Sequence, residues 1–269
     1  MSDLNSKYHK LIALLGGLKS CAVAFSGGVD SCLLAYAAHE ALGKRAIAIT
    51  FQTPYIPSRE IDDAVAFAAG TGMKQKILSF PLPDEILRNP DDRCYRCKKK
   101  LFTALIEWAA TLGFQHVLDG TNLDDDADYR PGRRALAELG VRSPLAEVAF
   151  TKDEIRTLSR QKGLPLWDKP AFACLLSRIP HHAEVNGGLL RRIEQAEDVL
   201  IRSGFKQVRV RHHGDLARIE VPPEDRSRFF DEALMESISG EIRSLGYRYV
   251  CLDMDGYRTG RMNPPLLEK

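Results

Sequence analysis

The sequence predicts an α/β protein: a doubly wound parallel sheet with helices on both faces, followed by a smaller C-terminal α+β domain. Three observations carry this. Short apolar runs alternate with stretches whose apolar residues recur at helical spacing, the signature of strand-helix-strand units. A glycine-containing hexapeptide, Ser26-Gly27-Gly28-Val29-Asp30-Ser31, occupies the first strand-to-helix turn. Past residue 182 the pattern changes to one amphipathic stretch followed by alternating strand-like runs.

Leu4, Tyr8, Leu11, Ile12, Leu15 and Leu18 form one face of an opening helix. Cys21–Phe25 is short and apolar, as a buried strand must be. After the hexapeptide, Leu33, Leu34, Ala37, Ala38 and Leu42 fall at helical spacing, and Gly43 stops the helix. Arg45–Phe51 is a second strand, and two prolines make 52–57 a loop. Ser58 is expected to cap a helix running to about Gly70, and Lys76–Phe80 is a third strand. The run Asp91–Lys100 precedes a helix marked by Leu101, Phe102, Leu105, Ile106 and Ala109. Gln115–Asp119 is a fourth strand, opening into Gly120-Thr121-Asn122-Leu123-Asp124-Asp125-Asp126. Thr151-Lys152-Asp153-Glu154 reads as a capping box. Residues 167–180, bracketed by prolines, form a loop with a short structured core. The boundary is placed between 182 and 183. Beyond it come a helix (Leu189 to Leu200), strands 208–211 and 217–221 around His212-His213-Gly214-Asp215, a helix (Phe229 to Ile242) and a strand, Tyr249–Asp253.

The chain's 269 residues suffice for one large domain or two modest ones. A net charge of +2 makes no demand for a nucleic-acid partner. No stretch approaches a membrane span, and Met1-Ser2-Asp3-Leu4-Asn5 lacks the basic and apolar regions of a signal peptide, so a cytoplasmic location is expected. In that compartment six cysteines read as thiols or metal ligands rather than disulfides.

The two glycines of the hexapeptide allow a tight turn and a close ligand approach. Ser26 and Ser31 add hydroxyls, and the unpaired amides at the helix start favour an anion, so the loop is a phosphate cradle. It lacks the Gly-Lys-Ser/Thr ending of a Walker loop. The acidic loop after the fourth strand lies where open α/β sheets place ligands. Its carboxylates suit Mg²⁺, although such a run can equally be a solvated turn.

Cys21, Cys32 and Cys251 read as buried structural residues. Cys94 and Cys97 form a CxxC that suits a redox pair, half a zinc site or an iron–sulfur ligand pair. Cys174 is a third candidate. Three thiolates would hold three irons of a [4Fe–4S] cluster and leave one iron open; His181 or His182 could instead complete a zinc site. Arg93, Arg96, Lys98, Lys99, Lys100 and Arg178 accompany these cysteines, and positive charge favours thiolate.

The hexapeptide resembles the pyrophosphatase loop of the N-type ATP pyrophosphatases, which include NAD synthetase, GMP synthetase and the tRNA thiolases. That resemblance implies cleavage of ATP between the α- and β-phosphates and adenylation of a substrate oxygen. It points to Ser26, Gly27, Gly28, Asp30 and Ser31, and to Gly120, Thr121, Asn122 and Asp125, as the ATP and Mg²⁺ site. A closer match is to the LarE family of ATP-dependent sulfur transferases. It is carried by Ser26–Ser31, Phe51–Glu60, Arg93–Lys98, Asp119–Asn122, Pro170–Arg178, Arg209–His213 and Gly256–Gly260, which span nearly the whole chain. The family implies a nicotinate-derived substrate, a pyridinium-3,5-dicarboxylate mononucleotide, on the way to the nickel-pincer cofactor of lactate racemase. It implies adenylation of a carboxylate followed by displacement of AMP by sulfur.

Members with one functional cysteine, at the position of Cys174, give up that residue's own sulfur. With Cys94 and Cys97 also present, this chain resembles the three-cysteine branch, in which a [4Fe–4S] cluster on Cys94, Cys97 and Cys174 delivers sulfide. By the same resemblance Arg211 and Arg258 are expected to hold the mononucleotide phosphate, and Ser177 and Arg178 to lie near the reacting carboxylate. The bland reading of Arg209 and Arg211 is the exposed face of a strand. A homo-oligomer is expected, with neither nucleic acid nor membrane as partner. The competing functions are a tRNA thiolase using the same loop and cluster, an amidating ligase of the NAD synthetase kind, and a non-catalytic ATP-binding scaffold.

Overall fold

A computed structural model describes residues 2–127, 131–171 and 173–258. Met1, Phe172, Thr259 and Gly260, which belong to motifs read from the sequence, lie outside the described residues. Contacts divide the chain into two units, Met1–Ile86 with Asp91–Phe172, and Leu87–Pro90 with Ala173–Lys269.

In the first unit, β1 (Cys21–Ala24), β2 (Ala46–Gln52), β3 (Gln75–Ser79) and β4 (His116–Leu118) form one parallel sheet in the order β3-β2-β1-β4. The helices are α1 (Ser2–Gly16), α2 (Val29–Leu42), α3 (Ser58–Thr71), α4 (Arg93–Thr111), α5 (Pro131–Glu138), α6 (Pro144–Glu147) and α7 (Lys152–Gln161). Successive side chains of a strand point to opposite faces. Cys21 and Val23 of β1 accordingly enter a core with Leu11, Leu33, Phe67 and Leu158 from α1, α2, α3 and α7. Ala22 enters a second core with Phe102, Leu105 and Ala109 of α4 and Leu136 of α5. Helices therefore cover both faces, the doubly wound arrangement that the alternating pattern predicts. The capping box of α7 is present, with Thr151 Oγ1 accepting from the Glu154 amide at 3.3 Å and Glu154 Oε2 from the Thr151 amide at 2.9 Å.

Two local expectations are corrected. Ser58 is the first helical residue of α3 rather than its cap, a position taken by Pro57, with Gly72 closing the helix in the left-handed region. The helix expected from Leu101 begins at Arg93, so the CxxC lies on it. Its opening turns are polar, and apolar periodicity has nothing to register there; an Arg96–Asp92 ion pair at 2.7 Å lies along them instead.

The second unit holds α8 (Gly187–Arg202), β5 (Arg209–His213), β6 (Leu216–Glu220), α9 (Glu232–Ser244) and β7 (Tyr249–Leu252). The sheet order is β5-β6-β7, antiparallel across the first pair and parallel across the second. Its core gathers Ala196, Leu200, Phe205, Val210, Ile219, Ile238 and Ile242. The contact division falls between Phe172 and Ala173, ahead of the 182/183 boundary read from the sequence, because the short helix Leu175–Arg178 packs with α8 and β5. Among the described residues no helix is long and apolar enough to cross a membrane.

Leu33 is fully buried, so Leu33→Ala is expected to lower stability by about 2–5 kcal/mol in urea denaturation. Phe230 is 88% exposed, and Phe230→Ala is expected to stay within about 0.5 kcal/mol of wild type.

Candidate functional site

The phosphate loop closes on its own hydroxyls. Ser31 Oγ accepts from the Ser26 amide at 3.2 Å and donates to the Gly28 carbonyl at 3.0 Å, and the Gly28 amide donates to Ser26 Oγ at 3.3 Å. Gly27 has φ 73°, and a Cβ there would stand 3.1 Å from Ala64 Cβ and from the Glu60 carbonyl oxygen. Gly120 lets the loop after β4 press onto the start of α2, since a Cβ there would stand 3.0 Å from the Ser31 nitrogen. Between them opens a cleft of about 300 Å³, lined by Ser26, Gly28, Asp30 and Ser31 on one side and Asp119, Gly120, Thr121 and Asp125 on another. Phe51, Ile56 and Phe102 give it an apolar end. The structure thus gathers the predicted phosphate and acidic loops into one cleft in the first unit. Asn122 lies behind the lining and donates to Asp30 Oδ1 at 3.3 Å.

Two lysines complete the cleft. Lys152, at the start of α7, forms an ion pair with Asp30. Lys98 of α4 lines the cleft with its ammonium 3.9 Å from Asp119 Oδ2. Asp119 is otherwise held by Ser143 at 2.5 Å and Thr121 at 2.6 Å. The capping box marks where Lys152 sits in the chain, but only the tertiary fold shows where its side chain goes. Glu60 also lines the cleft; burial raises its pKa against the lowering pull of Lys169, 3.0 Å away.

Cys94 and Cys97 lie in the opening turns of α4, three residues apart and therefore on one helix face. Cys94 is exposed; Cys97 is half-buried with its sulfur 3.1 Å from the Tyr55 hydroxyl. Cys21 and Cys32 are buried, and burial pushes the Cys21 thiol up to about 12 and that of Cys32 higher still, as inert structural cysteines require. Cys251 is half-buried, and burial raises its thiol too. Among the described residues no three His, Cys, Asp or Glu side chains group as a metal site.

The second unit carries Cys174, half-buried at the N-cap of the short helix Leu175–Arg178. Arg178 is 1% exposed and forms a two-pronged pair with fully buried Glu197 at 2.7 and 3.1 Å. Its remaining nitrogen donates to the carbonyls of Ala173 (2.8 Å) and Cys174 (3.2 Å) and to Ser177 Oγ (2.8 Å). Ser177 Oγ in turn donates to the Cys174 carbonyl at 2.9 Å. Arg211 of β5 pairs with Glu220 at 2.8 Å and donates to the Ser177 carbonyl at 2.5 Å. Arg209 and Arg211 are buried, so the exposed-face reading of these arginines fails. Burial and the nearby Arg178 charge lower Arg209 to about 10. The Nε atoms of Arg211 and Arg218 are buried without a hydrogen-bond partner among the described residues. Arg258 is exposed. Glu197 and Glu220 are the residues that motif reading misses, although Glu197 left a signal: it interrupts the apolar stripe Leu190, Ile193, Leu200 of α8.

The family model for NAD synthase matches residues 12–101, which hold the phosphate loop and the start of α4. The chain is 42% identical over 262 residues to an uncharacterized protein of Synechocystis sp., covering 97% of this chain and 98% of the relative. It is 36% identical over 269 residues to the pyridinium-3,5-bisthiocarboxylic acid mononucleotide synthase of Lactiplantibacillus plantarum, covering 99% and 97%. It is 31% identical over 213 residues to an uncharacterized protein of Methanocaldococcus jannaschii, covering 79% and 81%.

Gly27→Ala forces a side chain into the left-handed region and against α3, at a cost of about 1–3 kcal/mol. The upward shift of the melting temperature that ATP gives wild type is expected to vanish in this variant. Glu197→Gln leaves the buried Arg178 charge uncompensated and is expected to lower stability by about 3–5 kcal/mol in urea denaturation.

Proposed function

The chain belongs to the LarE family of N-type ATP pyrophosphatases, and on that premise we propose that it makes thiocarboxylates from a pyridinium-3,5-dicarboxylate mononucleotide at the expense of ATP. One observation carries the reading furthest: the CxxC pair and Lys98, a wall of the phosphate cleft, stand on the same helix, with Cys97 and Lys98 adjacent in sequence. Thiol chemistry and phosphate binding are thereby tied to one rigid element.

A carboxylate is a poor electrophile because its leaving group would be oxide. In the first step a substrate carboxylate oxygen bonds to the α-phosphorus of ATP, and the bond to the bridging oxygen breaks. The phosphate-loop amides and Lys98 are suited to the charge gathering on the departing pyrophosphate. Lys152, paired with Asp30 at the start of α7, would suit the same role were Asp30 to hold a metal ion. Asp30 and Asp125 fit Mg²⁺, which takes one or two carboxylates with phosphate oxygens and water. In the second step sulfur bonds to the acyl carbon, and the bond to the AMP oxygen breaks.

The donor types fit an iron–sulfur cluster: Cys94 and Cys97 present two sulfurs on one helix face, and Cys174 is fixed by its backbone in the second unit. A [4Fe–4S] cluster on these three thiols would supply sulfide from its open iron. Arg211, whose Nε has no partner among the described residues while its other nitrogens bond Ser177 and Glu220, is the proposed phosphate donor on β5, and exposed Arg258 is the second. Arg178 and the Ser177 hydroxyl are occupied with the Cys174 turn, which favours a supporting role beside the reacting carboxylate. A homo-oligomer remains part of this reading.

Anaerobically purified wild type is expected to carry about four irons per chain, and Cys94→Ala to lose them. Pyrophosphate release is expected to require the mononucleotide. Release without it, or none with it, overturns the adenylating reading. Wild type free of iron, with a mass loss of one sulfur at Cys174 after one turnover, overturns the cluster and leaves the sulfur transfer standing.

A further inference from the structure

Asn89 belongs to the four-residue stretch Leu87–Pro90 that groups with the second unit, while the chain on either side of it builds the first. Its side chain is fully buried and its backbone has φ 44°, a conformation asparagine tolerates better than most residues. Nδ2 donates toward three carbonyls, those of Leu176 at 3.2 Å, Ile179 at 2.8 Å and Pro180 at 3.0 Å. Two hydrogens serve three acceptors, so at least one hydrogen is shared. Oδ1 is buried without a partner among the described residues. The stretch is fastened again by its backbone, with the His182 amide donating to the Asn89 carbonyl at 3.2 Å and the Val185 amide to that of Leu87 at 2.8 Å.

These carbonyls belong to the turn that begins at Cys174. Arg178 and Ser177 hold the Cys174 carbonyl from one side, and Asn89 holds the Leu176 carbonyl from the other. Cys94 follows Asn89 by five residues in sequence. A residue needed only to fill a turn would have no reason to leave a carbonyl oxygen buried without a partner among the described residues, because an unmade hydrogen bond in the interior is costly.

We infer that Asn89 is a positioning residue for sulfur transfer: it fixes the turn carrying Cys174, using the segment of chain that leads directly into the cysteine helix. This rests on the reading of Cys174 as one of the three thiols that would hold the sulfide-supplying cluster. Asn89 is not among the residues lining the cleft of the first unit, and adenylation there does not depend on it.

The test separates the two half-reactions. Asn89→Gly suits the backbone angle and removes only the amide. At saturating mononucleotide and ATP, its pyrophosphate release is expected to equal that of wild type, while appearance of thiocarboxylate falls about 10²-fold. Asn89→Asp, which turns an oxygen toward the same carbonyls, is expected to lose more. In the apo protein, amide hydrogen exchange in Asn89→Gly is expected to accelerate within 175–180 and nowhere else. Equal loss of both half-reactions, or no loss of either, overturns the proposal, as does unchanged exchange in that turn. Should wild type release no pyrophosphate with the mononucleotide, the sulfur-transfer reading fails by itself. The exchange measurement then still decides whether Asn89 holds the turn, and it serves equally with Asn89→Asp if the glycine variant does not fold.

Discussion

The first unit depends on a reversal in its sheet. From β1 the chain winds outward through β2 to β3, then returns past its start so that β4 lies on the other side of β1. Connections between parallel strands keep one hand, so reversing direction moves the helices to the opposite face and parts the loops at the carboxyl ends of β1 and β4. Those two loops are Ser26–Ser31 and the stretch from Asp119. Their close approach at Gly120 and Ser31 shapes the cleft. The cleft of the unit is thus located by topology and then lined by side chains.

The second unit solves a different problem. Arg178, Arg209 and Arg211 are buried among Glu197 and Glu220 in a small domain that could have used hydrocarbon instead. Buried ion pairs are poor sources of stability, because desolvation offsets their attraction. Here they do geometric work: the Arg178 fork spans the Glu197 carboxylate and three oxygens of the Cys174 turn at once. An apolar replacement could fill the volume but could not hold those oxygens.

Much of this was legible in the sequence because it was periodic or local. The strands, the capping box at Thr151 and the phosphate loop each announce themselves within a few residues. The start of α4 was not legible, because polar turns carry no hydrophobic period. The short helices α5 and α6 escaped for want of length. The partners of Lys152 and Asn89 were invisible, and Glu197 showed only as a break in an apolar stripe, since each acts on a partner far along the chain: Asp30, the carbonyls of 176–180 and Arg178. Side-chain direction across such separations is a property of the fold, and no window of sequence contains it. The buried state of Arg209 and Arg211 was hidden for the same reason, since a strand alternates its faces without saying which one is covered.

The excursion of Leu87–Pro90 also bears on how the protein can be divided. The backbone passes between the units three times: before Leu87, after Pro90 and before Ala173. No single cut therefore yields both halves whole. A fragment starting at Ala173 lacks the asparagine that fills its own interior, and one ending at Phe172 exposes a stretch made to be buried elsewhere. The two units are thus interlaced in sequence, and neither is a removable cassette.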